Sequence, residues 1–585
     1  MTIFRKLGWF FKQEKKSYGI AVFFLILVAI FQIIPPKIIG NIVDSMSENE
    51  LTVSKLAIWI SILVFVALGQ YLFRYIWRTN IWGSAARLEK ILRTRLFKHF
   101  MQMDQSFFQQ NRTGDLMAHA TNDLTAIQQV AGAGILTFAD SIITGGTTII
   151  AMIFLIDWRL TILAIIPLPL LAVMARYLGT KIHTAFSTSQ AAFSTLNNKT
   201  QESVSGIKVI KTLGQEQEDI EDFEGKVEET IKINRKVNLL DALFDPITSL
   251  IIGLSYVCTI ILGGYYVTNN VISIGQLISF ISYIALLVWP MFAIGRLFNV
   301  IERGNASYDR VQILLNQKSG IVDNEKGLDK LSVGSFKFDV QHFNYPDDDR
   351  ESLHNVKFEI GSGQTLGIVG KTGAGKSTIM KLILREFDAY NGMISVNNSN
   401  IKEYALDTYL KSIGYVPQES FLFSTTILNN IRFANMNLTK EKVEMAAFNA
   451  DLDSDITELP LKYETEVGEQ GISLSGGQKQ RLAIARALVI NPELLILDDA
   501  LSAVDARTES IILTRLKEKR QNKTTIISAS RMSSVKDADE IIVIDGGTII
   551  ERGQHDTLMT SKGWYYQMTT KQQLESKLEG DEINE

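Results

Sequence analysis

The fold of one half of this chain is decided by the stretch Gly370-Lys371-Thr372-Gly373-Ala374-Gly375-Lys376-Ser377. It follows an apolar run at 364–369, typical of a buried strand, and precedes the helical pattern of 378–385. In this strand–loop–helix setting the glycines let backbone N–H groups wrap phosphates at a helix start. Lys376 then reaches the β- and γ-phosphates, and the Ser377 hydroxyl binds Mg²⁺. The stretch therefore predicts a magnesium–nucleotide site in an α/β domain.

Two further stretches extend this site. The apolar run 494–497 ends in Asp498-Asp499, and a strand that delivers a carboxylate at its carboxyl edge predicts Asp498 as a Mg²⁺ ligand. Between the two, Ser475-Gly476-Gly477-Gln478 opens a helix and forms a second anion-binding terminus, or only an ordinary helix cap. One nucleotide needs only one such terminus from a chain. The simplest explanation is that this terminus meets a nucleotide held by another subunit.

The region before about Arg303 alternates long apolar runs with polar stretches. A membrane span needs about 20 mostly apolar residues, and the segments that meet this requirement are Tyr18–Ile39, Leu56–Trp77, Gly132–Ile156, Leu160–Arg176, Phe244–Val267 and Ile274–Phe298. Buried core helices of a soluble protein are the alternative, which so many long runs disfavour. The sequence predicts an all-α domain of six transmembrane helices followed by the α/β nucleotide-binding domain.

Charge indicates the orientation. The tail before the first span carries Arg5, Lys6, Lys12, Lys15 and Lys16 against the single acid Glu14, so the positive-inside rule places the N-terminus in the cytoplasm, to which six spans return the chain. No signal peptide is expected. The net charge of −4 gives no reason to expect a nucleic-acid partner, and the single cysteine, Cys258, excludes a disulfide within the chain.

The connections 78–131 and 177–243 are polar, with apolar residues at helical spacing, and are predicted to be helices that continue out of the membrane. A glycine within each suggests a break where a short helix could turn across the end. Asp140, in the third span, is a candidate functional residue because charge at membrane depth is costly; an acid near the interface is the alternative. Arg74 in the second span could pair or snorkel.

Together these motifs resemble the ATP-binding cassette (ABC) exporters of the half-transporter type, over nearly the whole chain. The resemblance implies ATP and Mg²⁺ as cofactors and a second half-transporter as partner. The implied nucleotide contacts are Tyr345, which stacks on adenine, the loop Gly370, Lys371, Thr372, Gly373, Ala374, Gly375, Lys376, Ser377 and Thr378, and the signature Ser475, Gly476, Gly477 and Gln478. The implied Mg²⁺ contacts are Ser377, Gln418 and Asp498, of which Gln418 also touches water.

The resemblance also assigns the segments around the site. Residues 465–471 correspond to the segment before the signature, and Ser502-Ala503-Val504-Asp505 to the loop that crosses the dimer interface. Coupling helices are expected near Thr113-Gly114-Asp115 and Gly214-Gln215-Glu216. The expected divisions are a cytoplasmic segment 1–16, a transmembrane domain 17–310, a linker 311–335, a nucleotide-binding domain 336–570 and a polar tail 571–585. Within this tail, residues 575–585 are expected to be disordered.

Two residues depart from the family pattern. The usual glutamate after Asp498 is Asp499, and the usual histidine of Ala-His-Arg is Ser530. Asp is one methylene shorter, and a base misplaced by about 1 Å can lose about 100-fold in rate. Ser530 is too short to reach the γ-phosphate, which removes a donor of a kind worth roughly 3 kcal/mol. Both losses fall in one site, and they predict a site that binds ATP and hydrolyses it poorly.

The signature is intact, whereas the nucleotide site lacks the usual glutamate and histidine. This difference suggests a heterodimer whose partner supplies both residues. This resembles the paired multidrug exporters of Gram-positive bacteria and implies a plasma-membrane exporter of amphipathic drugs or lipids. The alternatives are a homodimeric exporter of peptide or lipid with a slow site, and a channel or regulator that uses ATP as a switch. Residues such as Trp289 and Met291 could line a cargo cavity, or face lipid or neighbouring helices.

Overall fold

The computed structural model describes residues 2–324, 326–328, 331, 334–346, 348, 350–468 and 473–582, except for the side chains of 294–296 and 576–582. The chain divides into two compact units. One comprises Met1–Met101 with Arg112–Gln317, and the other comprises Gln102–Asn111 with Lys318–Glu585.

In its described residues, the first unit contains helices and no strand. Its helices are Thr2–Lys6, Gly8–Gln13, Lys15–Ser47, Val53–Phe100, Thr113–Ala118, Leu124–Gln129, Ile135–Leu155, Trp158–Ile165, Pro169–Ser205, Ile207–Leu213, Glu216–Ala242, Phe244–Thr268 and Ile274–Asn316, with π-helical turns at His119–Asp123 and Val130–Gly134.

Six helical stretches among the described residues are long and apolar enough to cross a membrane, which confirms the predicted number. They are Lys15–Ser47, Val53–Phe100, Thr113–Leu155, Trp158–Ser205, Glu216–Thr268 and Ile274–Asn316. Large apolar side chains such as Phe65 (67% exposed) and Phe154 (81% exposed) point away from the unit, as expected where a bilayer replaces water as the solvent. The stretches run beyond the predicted spans because the polar connections continue the helices, as their periodicity predicts.

The fourth span departs from a single continuous helix. Its first helix ends at Ile165 and the next begins at Pro169. Pro167 and Pro169 lack the backbone N–H that a continuous helix needs, and a proline ring clashes with the preceding turn. The break therefore follows from the two prolines within the predicted span.

The two short helices of the polar connections lie a few residues from the expected positions. The first is Gln105–Gln110, whose N-cap Asp104 accepts a hydrogen bond from the Phe107 N–H (3.0 Å), whereas the expected turn at 113–115 lies inside the helix Thr113–Ala118. The second short helix, Ile207–Leu213, ends at Gly214, which adopts φ +66°. In the first case the carboxylate cap, not the glycine, sets the boundary.

The second unit contains the predicted α/β domain. Its four-stranded antiparallel sheet has the order Glu351–Gly361, Ser335–Asn344, Asn391–Val396 and Ser399–Asn400. Its six-stranded sheet has the order Thr548–Gly553, Glu540–Asp545, Thr365–Gly370, Thr524–Ser528, Leu494–Asp498 and Ile413–Val416, and only the first edge strand is antiparallel. A short pair joins Thr425–Thr426 to Glu466–Val467.

The helices of this unit are Gln105–Gln110, Lys376–Ile383, Leu406–Lys411, Ile427–Ile431, Lys440–Asn449, Asp453–Glu458, Gly476–Leu488, Ala506–Lys519, His555–Ser561 and Trp564–Glu582, with 3₁₀ turns at Ile401–Glu403, Lys462–Glu464 and Met532–Val535. The strands Leu494–Asp498 and Thr524–Ser528 are buried along their length, and Thr365–Gly370 is buried after its first residue. Such burial is typical of central parallel strands.

The prediction of disorder at 575–585 is wrong for residues 575–582, because the last helix runs from Trp564 to Glu582. Gln572 donates a hydrogen bond to the Ser530 carbonyl (2.9 Å) and accepts one from the Met532 N–H (2.9 Å). These tertiary contacts tie the helix to the loop after Thr524–Ser528, and they are invisible in a polar composition.

Candidate nucleotide-binding site

The phosphate loop is shaped by its glycines. Gly370, Gly373 and Gly375 have φ of +155°, +81° and +109°, values that other residues rarely adopt. A Cβ on Gly370 would lie 2.1 Å from the Ile544 carbonyl oxygen of the neighbouring strand. Glycine at this position therefore serves both the turn and the close approach of the backbone. The loop delivers the chain into the helix Lys376–Ile383.

Lys376 lies folded over this loop. Its Nζ donates hydrogen bonds to the carbonyl oxygens of Gly370 (2.9 Å) and Lys371 (3.1 Å). Burial lowers the pKa of Lys376, and the charges of Asp499 and Asp498 oppose that effect. A half-buried ammonium held by neutral carbonyls is available to an anionic phosphate.

Asp498 ends the buried strand Leu494–Asp498 and is itself 4% exposed. Burial raises the pKa of the Asp498 carboxyl, while the nearby Ser377 hydroxyl and the charge of Lys376 act in the opposite direction. The side chains of Ser377 and Asp498 line the same cleft. Oxygen donors of this kind are those that Mg²⁺ prefers, so the residues fit the predicted metal.

A cleft of about 550 Å³ brings most of the predicted residues together. It is lined by Tyr345, Asp348, Arg350, Glu351, Ser352, Thr372, Gly373, Gly375, Lys376, Ser377, Thr378, Gln418, Asp498, Asp499, Ser528, Ser530, Gly546 and Gly547. Gln418 therefore reaches the same cleft as Ser377 and Asp498, although it lies on a different loop. The size and lining are those of a small-molecule site.

Tyr345 lies at one end of this cleft. Its hydroxyl is 3.0 Å from the Thr378 Oγ1, and its ring packs edge-on against Phe387 with centroids 5.3 Å apart. Lys381 lies over the ring at 5.4 Å from its centroid. These contacts fix the ring beside the phosphate loop. Its stacking on adenine stays a prediction.

The two substituted residues contact each other. The backbone N–H and the hydroxyl of Ser530 both donate to the Asp499 Oδ1, at 3.1 and 2.8 Å. The Asp499 N–H donates to the Ser528 carbonyl oxygen (2.8 Å), and its backbone adopts φ +49°. The Asp499 carboxylate is therefore held toward the Ser530 loop by two hydrogen bonds.

The signature residues lie elsewhere in the same unit. Ser475 caps the helix Gly476–Leu488 in a capping box with Gln478, whose side chain also donates to Asp455 Oδ2 (2.9 Å). Ser475 and Gly476 are exposed, and of the described residues that line the cleft none comes from 475–478. The predicted second terminus is thus well formed, capped and open at its surface.

The loop 502–505 is tied to both motifs. Gln480 on the signature helix donates to the Ser502 Oγ (3.2 Å) and accepts from the Ala503 N–H (2.9 Å), while the Ser502 hydroxyl donates to the Asp499 carbonyl oxygen (2.9 Å). Of the segment 465–471, residues 469–471 lie outside the described residues, and Val467 pairs with Thr425.

Some lining residues were missed by the sequence analysis. Ser352 and Ser528 line the cleft because of strand register, and Arg350 lines it just before the strand Glu351–Gly361. No sequence signal exists for these positions. Gly546-Gly547 has a signal, since a glycine pair between the strands Glu540–Asp545 and Thr548–Gly553 is typical of a hairpin turn. Both glycines have positive φ.

In the membrane unit, Asp140 accepts a hydrogen bond from the Thr144 hydroxyl one helical turn later (3.0 Å). This contact gives the carboxylate a local partner. A role for Asp140 or Arg74 in transport stays a prediction.

Comparison with known proteins confirms the resemblance. The family described as "ABC transporter transmembrane region" matches residues 18–291, and that described as "ABC transporter" matches residues 353–502. The chain is 43% identical to the "Probable multidrug resistance ABC transporter ATP-binding/permease protein YheI" of Bacillus subtilis, over 99% of both chains. It is 41% identical to the "Multidrug resistance-like ATP-binding protein MdlA" of Escherichia coli, over 99% of this chain and 98% of the relative.

A solved structure agrees with these relatives. The structure described as "Structure of a bacterial Atm1-family ABC exporter with ATP bound" matches with a TM-score of 0.77 and 25% identity, covering 95% of this chain and 99% of that one. The six apolar helical stretches make this a multi-pass membrane protein. The chain belongs to the ABC exporters, in which an ATP-binding domain is fused to a transmembrane domain.

Proposed function

We propose that this chain is the weakly hydrolysing subunit of a heterodimeric ABC exporter that moves amphipathic compounds out of the cell. In this proposal the cleft holds Mg²⁺ and ATP. Lys376 and the loop N–H groups bind the phosphates, Ser377, Asp498 and Gln418 hold the metal, and Tyr345 stacks on adenine. Support comes from the cleft that Ser377, Asp498 and Gln418 line together and from the glycine-shaped loop beside it.

The bond between Ser530 and Asp499 carries the claim of weak hydrolysis. A general base has to accept a proton from the attacking water in a suitable geometry. The Asp499 Oδ1 instead accepts two hydrogen bonds from Ser530, so the lone pairs of that oxygen are already engaged. Ser530 offers only a short hydroxyl, already used in that bond, where the family has an imidazole.

The exposed signature supports the proposal of a partner. Ser475 and Gly476 stand at the open start of a helix whose N–H groups favour an anion. We expect them to complete the nucleotide site of a different half-transporter that carries the glutamate and histidine. ATP would then join the two nucleotide-binding domains, and hydrolysis at the partner's site would release them and reset the membrane cavity.

The class of cargo and the membrane that holds the exporter are inferred only by analogy with the relatives. Two relatives carry multidrug resistance in their names, which favours amphipathic drugs or lipid-like compounds as cargo. They come from Bacillus subtilis and Escherichia coli. We therefore propose that the exporter lies in a bacterial plasma membrane, and we do not assign it to a Gram-positive host.

The test compares the purified chain alone with the chain co-purified with its partner. Alone, it should bind Mg²⁺-ATP, measured with a fluorescent ATP analogue, and turn over at least about 100-fold more slowly than the pair. Glutamate-to-glutamine substitution in the partner should abolish transport into inverted vesicles. As a control, Lys440→Ala, which changes an exposed ion pair with Glu444, should alter neither reading.

Two outcomes would replace this proposal. Brisk turnover by the chain alone would support a homodimeric exporter with a tolerable Asp/Ser site. Conductance that persists after ATP is removed would support a channel or regulator. Failure to retain ATP would contradict all three functions.

A further inference from the structure

Two histidines and a glutamate meet on the exposed face of the four-stranded sheet. His342 and His354 lie directly opposite each other on the strands Ser335–Asn344 and Glu351–Gly361. Their ring centroids are 5.0 Å apart, with an angle of 60° between the rings. The side chains of His342, His354 and Glu351 are 47%, 48% and 38% exposed. The group is accessible from solvent.

An irregularity in strand pairing brings Glu351 to this group. In a regular strand, residues three apart such as Glu351 and His354 point to opposite faces. Here Phe343 pairs with Leu353 but Asn344 pairs with Glu351, so Ser352 is an extra residue on its strand. A bulge of this kind changes the face to which a neighbouring side chain points, and it turns Glu351 to the side of the histidines.

The three side chains are in contact. The His342 Nδ1 contacts the Glu351 Oε1, and the His354 Nδ1 lies 3.3 Å from the Glu351 Oε2. One ligand atom from each residue lies within 4.8 Å of the other two, and no other such group of three occurs among the described residues. The hydrogen bond from His342 is the largest of the causes that lower the pKa of Glu351.

We propose that His342, Glu351 and His354 form a binding site for a divalent transition-metal ion such as Zn²⁺. Two imidazoles and one carboxylate are a donor set that this class of ion prefers, with water in the fourth position. Zinc–nitrogen bonds of about 2.1 Å require the side chains to rotate inward while the paired strands hold their backbones. Mg²⁺ demands oxygen ligands, so this site differs in chemistry from that of Ser377 and Asp498.

The alternative is that the two histidines are protonated and the group binds no metal ion. Glu351 could simply pair with two imidazolium rings, but exposed ion pairs contribute little to stability. Two of the six histidines of the chain gather here, and the bulge places the carboxylate between them. A metal ion would use all three side chains at once.

A bound ion would also affect the rim of the nucleotide cleft. Glu351, Ser352 and Arg350 line that cleft, and an ion on Glu351 would hold the bulged strand end in place. This consequence rests on the proposed function. Binding of the ion itself does not, and it is measurable without nucleotide.

The experiment uses the tag-free, full-length chain in detergent without nucleotide. Titration calorimetry with Zn²⁺ should show one saturable site per chain, and Co²⁺ in its place should give the visible absorption of a low-symmetry nitrogen–oxygen site. His342→Ala, His354→Ala and the milder Glu351→Gln should each weaken binding by at least about tenfold, because even loss of a second-shell partner costs 10–100-fold. The matched control is His183→Ala, on an exposed helical position.

The proposal is overturned if the wild-type chain shows no saturable site, or if the three variants bind Zn²⁺ as the wild type does. Circular dichroism and thermal unfolding check that each variant is folded. Metal binding that persists in a chain unable to bind ATP would leave this inference intact and count against the proposed function alone.

Discussion

The two sides of the nucleotide cleft differ in how their polar groups are used. On the phosphate side, Lys376 donates hydrogen bonds to two backbone carbonyls, and Ser377 and Asp498 line the cleft beside it. On what we call the hydrolytic side, Ser530 donates two hydrogen bonds to Asp499. The first set is arranged for a ligand that brings negative charge and a metal. The residues of the second set are hydrogen-bonded to each other.

This difference separates binding from hydrolysis. Binding a nucleotide needs positive charge, backbone N–H groups and metal ligands, all of which lie around Gly375 and Asp498. Hydrolysis needs in addition a base placed to within about 1 Å. The comparison between the two sides therefore predicts retained affinity with reduced turnover, and substitutions can test each side separately.

The largest effect is expected from repairing the hydrolytic side. Asp499→Glu combined with Ser530→His should raise the ATPase rate of the isolated chain by about 100-fold, because both a base and a γ-phosphate donor return. Steady-state phosphate release measures the rate. Each single substitution should give a smaller gain, since the two residues act as a unit.

An unchanged rate in the double variant, with ATP still bound, would contradict the proposal that these two residues limit turnover. Lys440→Ala in the same background serves as the control.

A smaller effect is expected from damaging the phosphate side. Lys376→Ala should weaken ATP binding by about 10–100-fold, because a hydrogen bond to a charged group is worth about 1.5–3 kcal/mol. Equilibrium binding of a fluorescent ATP analogue measures the loss. Lys371→Ala is a useful comparison, since Lys371 lies in the same loop but pairs with Asp545 at 3.3 Å, and it should lose much less.

The exposed signature allows a third test. Ser475→Ala should lower the ATPase rate of the assembled pair by about tenfold, because it removes one donor at the site proposed for the partner's nucleotide. It also removes a helix cap worth about 1 kcal/mol. Thr426→Ala removes the cap of Ile427–Ile431 and controls for that loss. Equal decreases in the ATPase rate of the two variants would show that Ser475 acts only as a helix cap.

The smallest effect concerns stability. Because burial raises the pKa of Asp498, the folded chain binds this proton more tightly than the unfolded chain, and the charged form destabilises the nucleotide-free fold at neutral pH. Asp498→Asn should raise the thermal unfolding temperature by up to about 4 °C at pH 7.5. The gain should shrink as the pH falls through the raised pKa, where wild-type Asp498 becomes neutral.

Tryptophan fluorescence of the nucleotide-free protein follows this transition. The same substitution should remove the stabilisation by Mg²⁺-ATP. A lower unfolding temperature without nucleotide would show that the Asp498 charge does not oppose folding.

The sequence by itself determined the number of spans and the position of the phosphate loop, and it predicted Asp498 as a metal ligand. Each depends on a local pattern: about 20 apolar residues, glycines at fixed spacing, or a carboxylate directly after an apolar strand. The physical cause of each of these features lies within a few neighbouring residues. The polar composition of the C-terminal segment contains no such local signal, and the helix Trp564–Glu582 was therefore not predicted.

Only the tertiary structure decided what depends on residues far apart. The strand Thr365–Gly370 lies between Thr524–Ser528 and Glu540–Asp545 in the sheet. Both of these neighbouring strands follow it by more than 150 residues in the sequence. The same sheet brings Ser530 to Asp499, and a one-residue change of register brings Glu351 to His354. Side-chain contacts of this kind follow from strand order and register, which are set by the packing of the whole unit and not by neighbouring residues.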